Sequence, residues 1–505
     1  MNRNRNAFPD ILRGALPRFA FACLASFAVL LVCSKSSFLY PMNDWVDVNC
    51  FFTVGRGILH GLVPYRDVYE QKGPLIYFLF ALAGGISETS FLGVFALETL
   101  CFAWFLYLGG RMAETLSGIR QAFWPAAALL ALLVPVTPAF SHGASAEEFF
   151  LPILSLGLLT ILGAVRENRP LTDRQGFLLG LCAAAALWTK YTFCGLYAGL
   201  ALSAAIWYAG TGRARLLPRM ILFFLLGALA LSAAVLGWFA WKGALPDLWQ
   251  AYFVNNLSQY SQNIRGGRYD APLPNLLNNL PWSIPGALGL LFLTACPGKH
   301  GWEALAAWLG AAGLFVFTYL SGRRYPYYAL VMAVFAPLGI GAAALLIRRL
   351  FRQAHPRTVT AVSAALACAL LLAGPWTAWK VSPNTYLMKV PKEDMPQYRF
   401  AEIIRGSDDQ TLLNSGFLDG GFYFASGVLP SSPYFCTLNI GLPEMEKSLQ
   451  DSIQQGKTEF VVTRSARLRG SVPYRLADEA SMFFEGREWT YYLYQRREET
   501  GNSEE

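Results

Sequence analysis

The chain has 505 residues, 54% of them hydrophobic and 15% charged, with a formal net charge of +8 and a mean hydropathy of +0.35. Soluble domains carry roughly 25% charged residues, so an ordinary soluble globule is excluded. Lys and Arg are scattered over loops rather than striped along one face, which excludes a nucleic-acid surface.

The last 120 or so residues are ordinary polar sequence, so the apolar excess lies upstream of them. There it falls into blocks that match a membrane span, which takes roughly 17–25 apolar residues as a helix. In chain order the candidate spans run near 17–36, 88–109, 123–140, 149–165, 176–189, 192–209, 220–241, 282–296, 302–320, 327–347 and 359–379. Pro74–Gly85 is apolar but too short to cross and reads as interfacial or re-entrant. No small-residue cleavage site follows the first span, which therefore reads as retained. Odd-even alternation puts Arg3, Arg5, Arg13, Arg18, Arg111, Arg120, Arg166, Arg169, Arg174, Arg213, Arg215, Arg219, Lys299, Arg348, Arg349, Arg352 and Arg357 on one side, which is then cytoplasmic. The expected architecture is a polytopic α-helical membrane protein with about eleven transmembrane helices, residues 1–380, followed by an extracytoplasmic α/β domain, residues 381–505. The N-terminus is expected in the cytoplasm and the chain in a bacterial inner membrane.

Seven of the nine cysteines fall within spans. There is no CxxC and no Cys/His spacing of the metal-binding kind. Cys50 and Cys436 would both be extracytoplasmic, where a disulfide between them is possible without being indicated by the sequence.

Cytoplasmic loops are short, whereas the outer face holds three larger pieces: Pro41–Gly85, Lys242–Pro281 and everything after Lys380. The first is dense in charge and aromatics. Phe51, Phe52 and Val54 with Ile58 and Leu59 recur at helical spacing, so Asp47 stands about one turn ahead of an amphipathic helix. Either Asp44 or Asp47 could simply cap that helix, since acids are favoured at helix N-termini.

The order Asp47, Phe51, Gly55-Arg56, Gly61, Pro64-Tyr65-Arg66-Asp67 and Lys72-Gly73-Pro74-Leu75-Ile76-Tyr77 resembles the first extracytoplasmic loop of GT-C membrane glycosyltransferases. Within them it is most similar to the branch of aminoarabinose lipid A transferases and protein O-mannosyltransferases, which is glycosyltransferase family 39-like. The chain departs in having Gly73 for a first Pro and Val48 for a second acid after Asp47. The resemblance implies transfer of a sugar from a polyprenyl-phosphate donor to a hydroxyl of an envelope lipid, glycan or protein. It makes the loop acid the base, carried to Asp47 with Asp44 in reserve, and puts Lys72 on the carrier phosphate.

The chemistry fits those residue types. An attacking hydroxyl needs a positioned carboxylate to take its proton, and a departing phosphate needs Lys or Arg nearby. Asp44, Asp47, Arg56, Arg66 and Lys72 offer both, the plainer alternative for Lys72 being a snorkelling interfacial anchor. Arg323 and Arg324 break the positive-inside rule on the outer side, which points to an anionic partner such as the carrier phosphate. His142, Glu147 and Glu148 before the fourth span, Lys190 between the fifth and sixth, and Tyr325 are further candidates for sugar or acceptor contacts. For Glu147 and Glu148 the plainer reading is a polar helix cap, and for Lys190 a tight hairpin. Arg265 and Arg268 lie in a long loop that could close over a substrate. No cofactor is indicated; a divalent metal is possible, but the sequence offers no ligand set for it.

From about Lys389 the sequence reads as α/β. Strands are expected at Thr411–Asn414, Tyr434–Cys436 and Phe460–Thr463, a helix at Leu442–Gln455, and a closing hairpin of Met482–Phe484 with Trp489–Tyr494. A polysaccharide or lipid transporter, a flippase or a non-enzymatic envelope assembly protein is the alternative. Transport would want ionisable residues mid-span, and Glu98 is the main one.

Overall fold

The computed structural model describes residues 7–260, 271–320, 322–323, 325–484 and 486–497; Arg265, Arg268 and Arg324 lie outside them. The helices in chain order are α1 (Ala7–Cys33), α2 (Val46–Leu59), α3 (Pro74–Ile86), α4 (Leu92–Ser117), α5 (Phe123–Leu133), α6 (Ala146–Arg166), α7 (Asp173–Thr189), α8 (Cys194–Gly210), α9 (Leu217–Trp241), α10 (Leu245–Leu248), α11 (Pro272–Leu277), α12 (Leu280–Ala295), α13 (Pro297–Tyr319), α14 (Ala336–Leu350), α15 (Pro356–Val381), α16 (Pro396–Arg405), α17 (Phe422–Ser426) and α18 (Pro443–Gln454). A π-helical segment, Trp249–Tyr260, follows α10, and a 3-10 segment, Pro326–Phe335, leads into α14.

Among the described residues eight helices are long and apolar enough to cross a membrane: α1, α4, α6, α8, α9, α13, α14 with its lead-in, and α15. The other three expected spans are helical but shorter, α5, α7 and α12 having 11, 17 and 16 residues. At about 1.5 Å per residue α5 reaches only about 16 Å, half of a hydrocarbon core of about 30 Å. The apolar side chains of α9 and α15 point outward, with Leu229 63% and Leu372 75% exposed, as lipid-facing helices require.

The chain divides into two compact units. The first comprises Met1–Leu39, Phe95–Val235 and Ile264–Thr385; the second comprises Tyr40–Val94, Leu236–Asn263 and Tyr386–Glu505. The outer loop and the C-terminal segment therefore belong to one unit.

The first unit packs its helices through small residues. A Cβ on Gly195 of α8 would lie 2.2 Å from the carbonyl oxygen of Gly313 in α13, and one on Gly199 2.0 Å from that of Leu309. Gly180 of α7 and Gly227 of α9 meet the facing backbone as closely, at Phe224 and Phe177. Between helices in lipid, close backbone approach of this kind replaces the hydrophobic drive available in water.

In the second unit α2 crosses α3 at Gly55, where an added Cβ would meet the Ala81 nitrogen and the Phe80 carbonyl carbon at 2.7 Å. Phe51 and Phe52 bury themselves at that crossing, the Phe51 and Phe80 ring centroids being 5.5 Å apart. The C-terminal segment builds a four-stranded sheet from β1 (Leu412–Ser415), β2 (Phe460–Arg464), β3 (Tyr474–Phe484) and β4 (Arg487–Arg496), in the order β1-β2-β4-β3. β1 and β2 are parallel, with α18 as part of their connection, and β3 and β4 form the expected hairpin. Tyr434–Cys436, expected as a strand, is not one: its Phe435 carbonyl accepts the Tyr423 hydroxyl as well as the Asn414 N–H of β1, and the segment forms no ladder with that strand.

Candidate functional site

The turn that carries both loop acids is fixed by its own amides. The Asn43 Oδ1 accepts the Trp45 N–H at 3.0 Å, and Asn49 Nδ2 donates to the carbonyls of Asn43 and Trp45 at 2.8 and 2.9 Å. Trp45 is the N-cap of α2 and makes no side-chain cap, so neither acid occupies the capping position. Asp47 lies in the first turn, where the helix dipole favours its charge. Asp44 and Asp47 are both buried.

Lys72 precedes α3, which Gly73 and Pro74 open. Its backbone is held on both sides. Its N–H donates to the Tyr77 hydroxyl at 2.8 Å and to Glu70 Oε2 at 3.0 Å, and its carbonyl accepts the Tyr65 hydroxyl at 2.7 Å. The Tyr77 hydroxyl also donates to Glu70. From this base the Lys72 ammonium reaches to 5.7 Å from the centre of the Phe51 ring, one helical turn beyond Asp47. Asp47 and Phe51 thus lie one turn apart in α2, and Lys72 extends from the α3 entrance to the Phe51 ring.

The other two loop cations are placed differently. Arg56, expected at the donor phosphate, is 4% exposed and turned into the protein. It donates to the carbonyls of Tyr423 at 3.1 Å and Gly427 at 2.8 Å and lies 3.6 Å from the Glu88 carboxylate. Burial pushes its pKa below the usual arginine value, with Glu88 opposing. Arg66 is exposed and clasps Asp67, donating also to the Lys242 carbonyl at 2.8 Å. Its hydrogen bonds hold the Asp67 carboxyl below the usual range. Beside the loop, Gln71 donates to Asn439, the Tyr69 N–H to the Pro433 carbonyl, and Asn256 to the Gln71 carbonyl.

Within the first unit Glu147 ion-pairs with Lys190. The Lys190 ammonium stands 3.4 Å from the Tyr328 ring centre and 5.8 Å from that of Tyr327. Tyr325 stacks on Tyr327 at 5.5 Å and its carbonyl accepts Asn275. Glu148 is fully buried. The Ala144 N–H donates both to it, at 2.7 Å, and to Glu98 at 3.0 Å, and Ser34 donates to Glu98 at 2.6 Å. The His142 carbonyl accepts the Lys35 N–H at 3.1 Å. Arg323 is half-buried.

Sequence reasoning passed over Lys35 and Asn49. Lys35 is 2% exposed, and the signal for it was a cation at the expected outer end of the first span. Among the described residues no three His, Cys, Asp or Glu side chains gather as metal ligands would.

The fold is that of GT-C glycosyltransferases. The chain is similar to the crystal structure of ArnT from Cupriavidus metallidurans bound to undecaprenyl phosphate, with a TM-score of 0.63 and 12% identity over 94% of this chain and 97% of that one. Against ArnT from the same organism in the apo state the TM-score is 0.60 at 13% identity, over 92% and 96% of the two chains. The Archaeoglobus fulgidus oligosaccharyltransferase aligns at 0.49 with 13% identity, over 88% of this chain and 67% of its own. No protein-family model and no curated protein matches the sequence.

Proposed function

We propose that this protein is a membrane glycosyltransferase that moves a sugar from a polyprenyl-phosphate donor to a hydroxyl of an envelope lipid, glycan or protein, at the outer face of the cytoplasmic membrane. The observation that supports the reading is the Lys72 ammonium 5.7 Å from the ring of Phe51, a residue one helical turn after Asp47 in α2. ArnT, whose fold the chain shares, has been crystallised with undecaprenyl phosphate, which supports a carrier of that class.

In this reaction the acceptor oxygen attacks the anomeric carbon as the bond from that carbon to the phosphate oxygen breaks. Asp47 takes the proton that the acceptor hydroxyl sheds. Lys72 offsets the charge that gathers on the leaving lipid phosphate. The Lys72 backbone is held by Tyr65, Glu70 and Tyr77, which fixes the point from which the side chain extends toward the Phe51 ring.

The test is a transfer assay with purified protein in lipid, supplied with a polyprenyl-phosphate sugar and an envelope extract. A glycosylated product with release of free polyprenyl phosphate is expected. Passage of donor across vesicles without any new glycosidic bond would mean that the protein is a transporter.

A further inference from the structure

The turn that carries Asp44 and Asp47 is gripped by the C-terminal segment of the same unit. Asp419 of that segment is fully buried, and both of its oxygens are engaged. Oδ2 accepts the Thr53 hydroxyl of α2 at 2.6 Å, while Oδ1 accepts the Gly421 N–H at 2.9 Å and the Asn414 amide at 3.3 Å. Gly421 has a φ of +91°, and a Cβ on it would strike the Met42 methyl group and lie 3.2 Å from Asn49 Oδ1. Residues 419–421 therefore hold α2 through Thr53 and abut Asn49. The Asn49 amide in turn donates to the carbonyls of Asn43 and Trp45, the two neighbours of Asp44. Just upstream the Tyr398 hydroxyl donates to the Pro41 carbonyl at 3.0 Å.

Asn49 bears a cost in this arrangement. Its Oδ1 is buried with no hydrogen-bond partner among the described residues. A buried acceptor without a donor lowers stability, and such groups occur where local geometry matters more than local stability. We propose, on the reading of Asp47 as the base, that Thr53, Asp419 and Asn49 are positioning residues for sugar transfer. The Thr53–Asp419 contact sets α2, Asn49 passes that setting to the turn, and Asp47 meets the acceptor hydroxyl in reacting geometry. All three are buried and act through Asp47 rather than on the substrate. A base must stand within hydrogen-bond reach of its proton, and a misplacement of about 1 Å can slow a reaction by about 100-fold.

The experiment compares Thr53→Val, Thr53→Ser, Gly421→Ala and Asp47→Asn in the full chain, purified in lipid. Single-turnover transfer, affinity for a polyprenyl-phosphate analogue and melting temperature are measured for each. Valine keeps the shape of Thr53 and removes the hydroxyl that Asp419 accepts, whereas serine keeps the hydroxyl. Thr53→Val is expected to transfer sugar about tenfold more slowly per folded molecule, with donor affinity within about twofold of the wild type. Thr53→Ser should recover most of the rate. Gly421→Ala presses on Asn49 from the other side and should slow transfer in the same way, which keeps the test open if Thr53→Val does not fold. A wild-type rate in folded Thr53→Val or folded Gly421→Ala, with Asp47→Asn inactive, overturns the positioning and leaves Asp47 as the base. Donor affinity falling in step with the rate, no recovery in Thr53→Ser, or failure of both Thr53→Val and Gly421→Ala to fold makes these contacts general supports of the fold and overturns it as well. Wild-type transfer by Asp47→Asn removes the base assignment itself, and the positioning with it.

Discussion

Lys190 and Glu147 close a buried ion pair, with the Lys190 ammonium 3.4 Å from the centre of the Tyr328 ring. Lys190 is the C-cap of α7 and Glu147 lies in the first turn of α6, so each charge sits at the helix end that favours its sign. The Lys190 side chain is 10% exposed and that of Glu147 2%, which removes most of the water that would otherwise screen them.

Breaking such a pair from one side leaves a buried charge uncompensated. Glu147→Gln is expected to destabilise the protein by about 3–5 kcal/mol, whereas Glu147→Gln with Lys190→Met should cost clearly less than the sum of the two single changes. Thermal unfolding of the four proteins in one detergent measures the coupling. Additive losses would show that the pair contributes nothing of its own.

Arg56 separates a structural cation from a substrate-binding one. Removing its guanidinium leaves the Tyr423 and Gly427 carbonyls without their donor and Glu88 without its partner. Arg56→Met should lower stability by about 2–4 kcal/mol. The folded fraction should bind a polyprenyl-phosphate analogue as the wild type does, measured by titration after correction for folded protein. A tenfold loss of affinity at unchanged melting temperature would return Arg56 to the donor site.

The spans were legible because a bilayer demands uninterrupted apolar length, and that demand shows in one dimension. The hairpin of β3 and β4 was legible because alternation and a Gly turn are equally local. What sequence order hides is which segments share a unit. Arg56 reads as a loop cation until Tyr423 and Gly427 are folded onto it. Gly55 stands in a Gly-Arg pair, yet its neighbours are Phe80 and Ala81, where there is no room for a Cβ. Glu148 reads from sequence as a polar helix-end acid, and only the fold brings Glu98 of another helix to the same Ala144 N–H. Tyr434–Cys436 has strand composition, but it forms no ladder with the sheet; its Phe435 carbonyl takes the Asn414 N–H of β1 and the Tyr423 hydroxyl.

The charge bias of the short loops makes a C-terminus outside the cytoplasm the expectation. Alkaline phosphatase fused at Glu505 is therefore expected to be active and green fluorescent protein fused there to be dark. The opposite pattern would mean an even number of crossings. Since α5, α7 and α12 are the short helices, the count would fail at one of them.

Lys72 should act on the donor alone. Lys72→Met is expected to weaken binding of a polyprenyl-phosphate analogue by about 10–100-fold, the effect of one charge-assisted contact, with acceptor binding unchanged. Its backbone contacts to Tyr65, Glu70 and Tyr77 do not involve the side chain, so folding should survive. Lys72→Arg should recover part of the affinity, since the charge remains. Unchanged affinity in Lys72→Met would leave the ammonium as an interfacial anchor.

Asp47→Asn separates an enzyme from a binder. The amide is nearly isosteric, and because Trp45 is the N-cap the substitution removes no cap. The loss of a favourable charge in the first turn of α2 should cost about 0.3–1 kcal/mol, so insertion, folding and donor binding should persist. An amide cannot take a proton from a hydroxyl, and loss of a general base lowers turnover by about 100-fold or more. Single-turnover transfer by Asp47→Asn should therefore collapse while donor affinity stays within about twofold of the wild type. Asp44→Asn is the internal comparison and should keep much of the activity. If Asp44→Asn is dead and Asp47→Asn active, the base is Asp44, three residues earlier in the chain. If both variants transfer sugar at near wild-type rate, the two acids serve the start of α2, and a transferase mechanism centred on this loop is wrong.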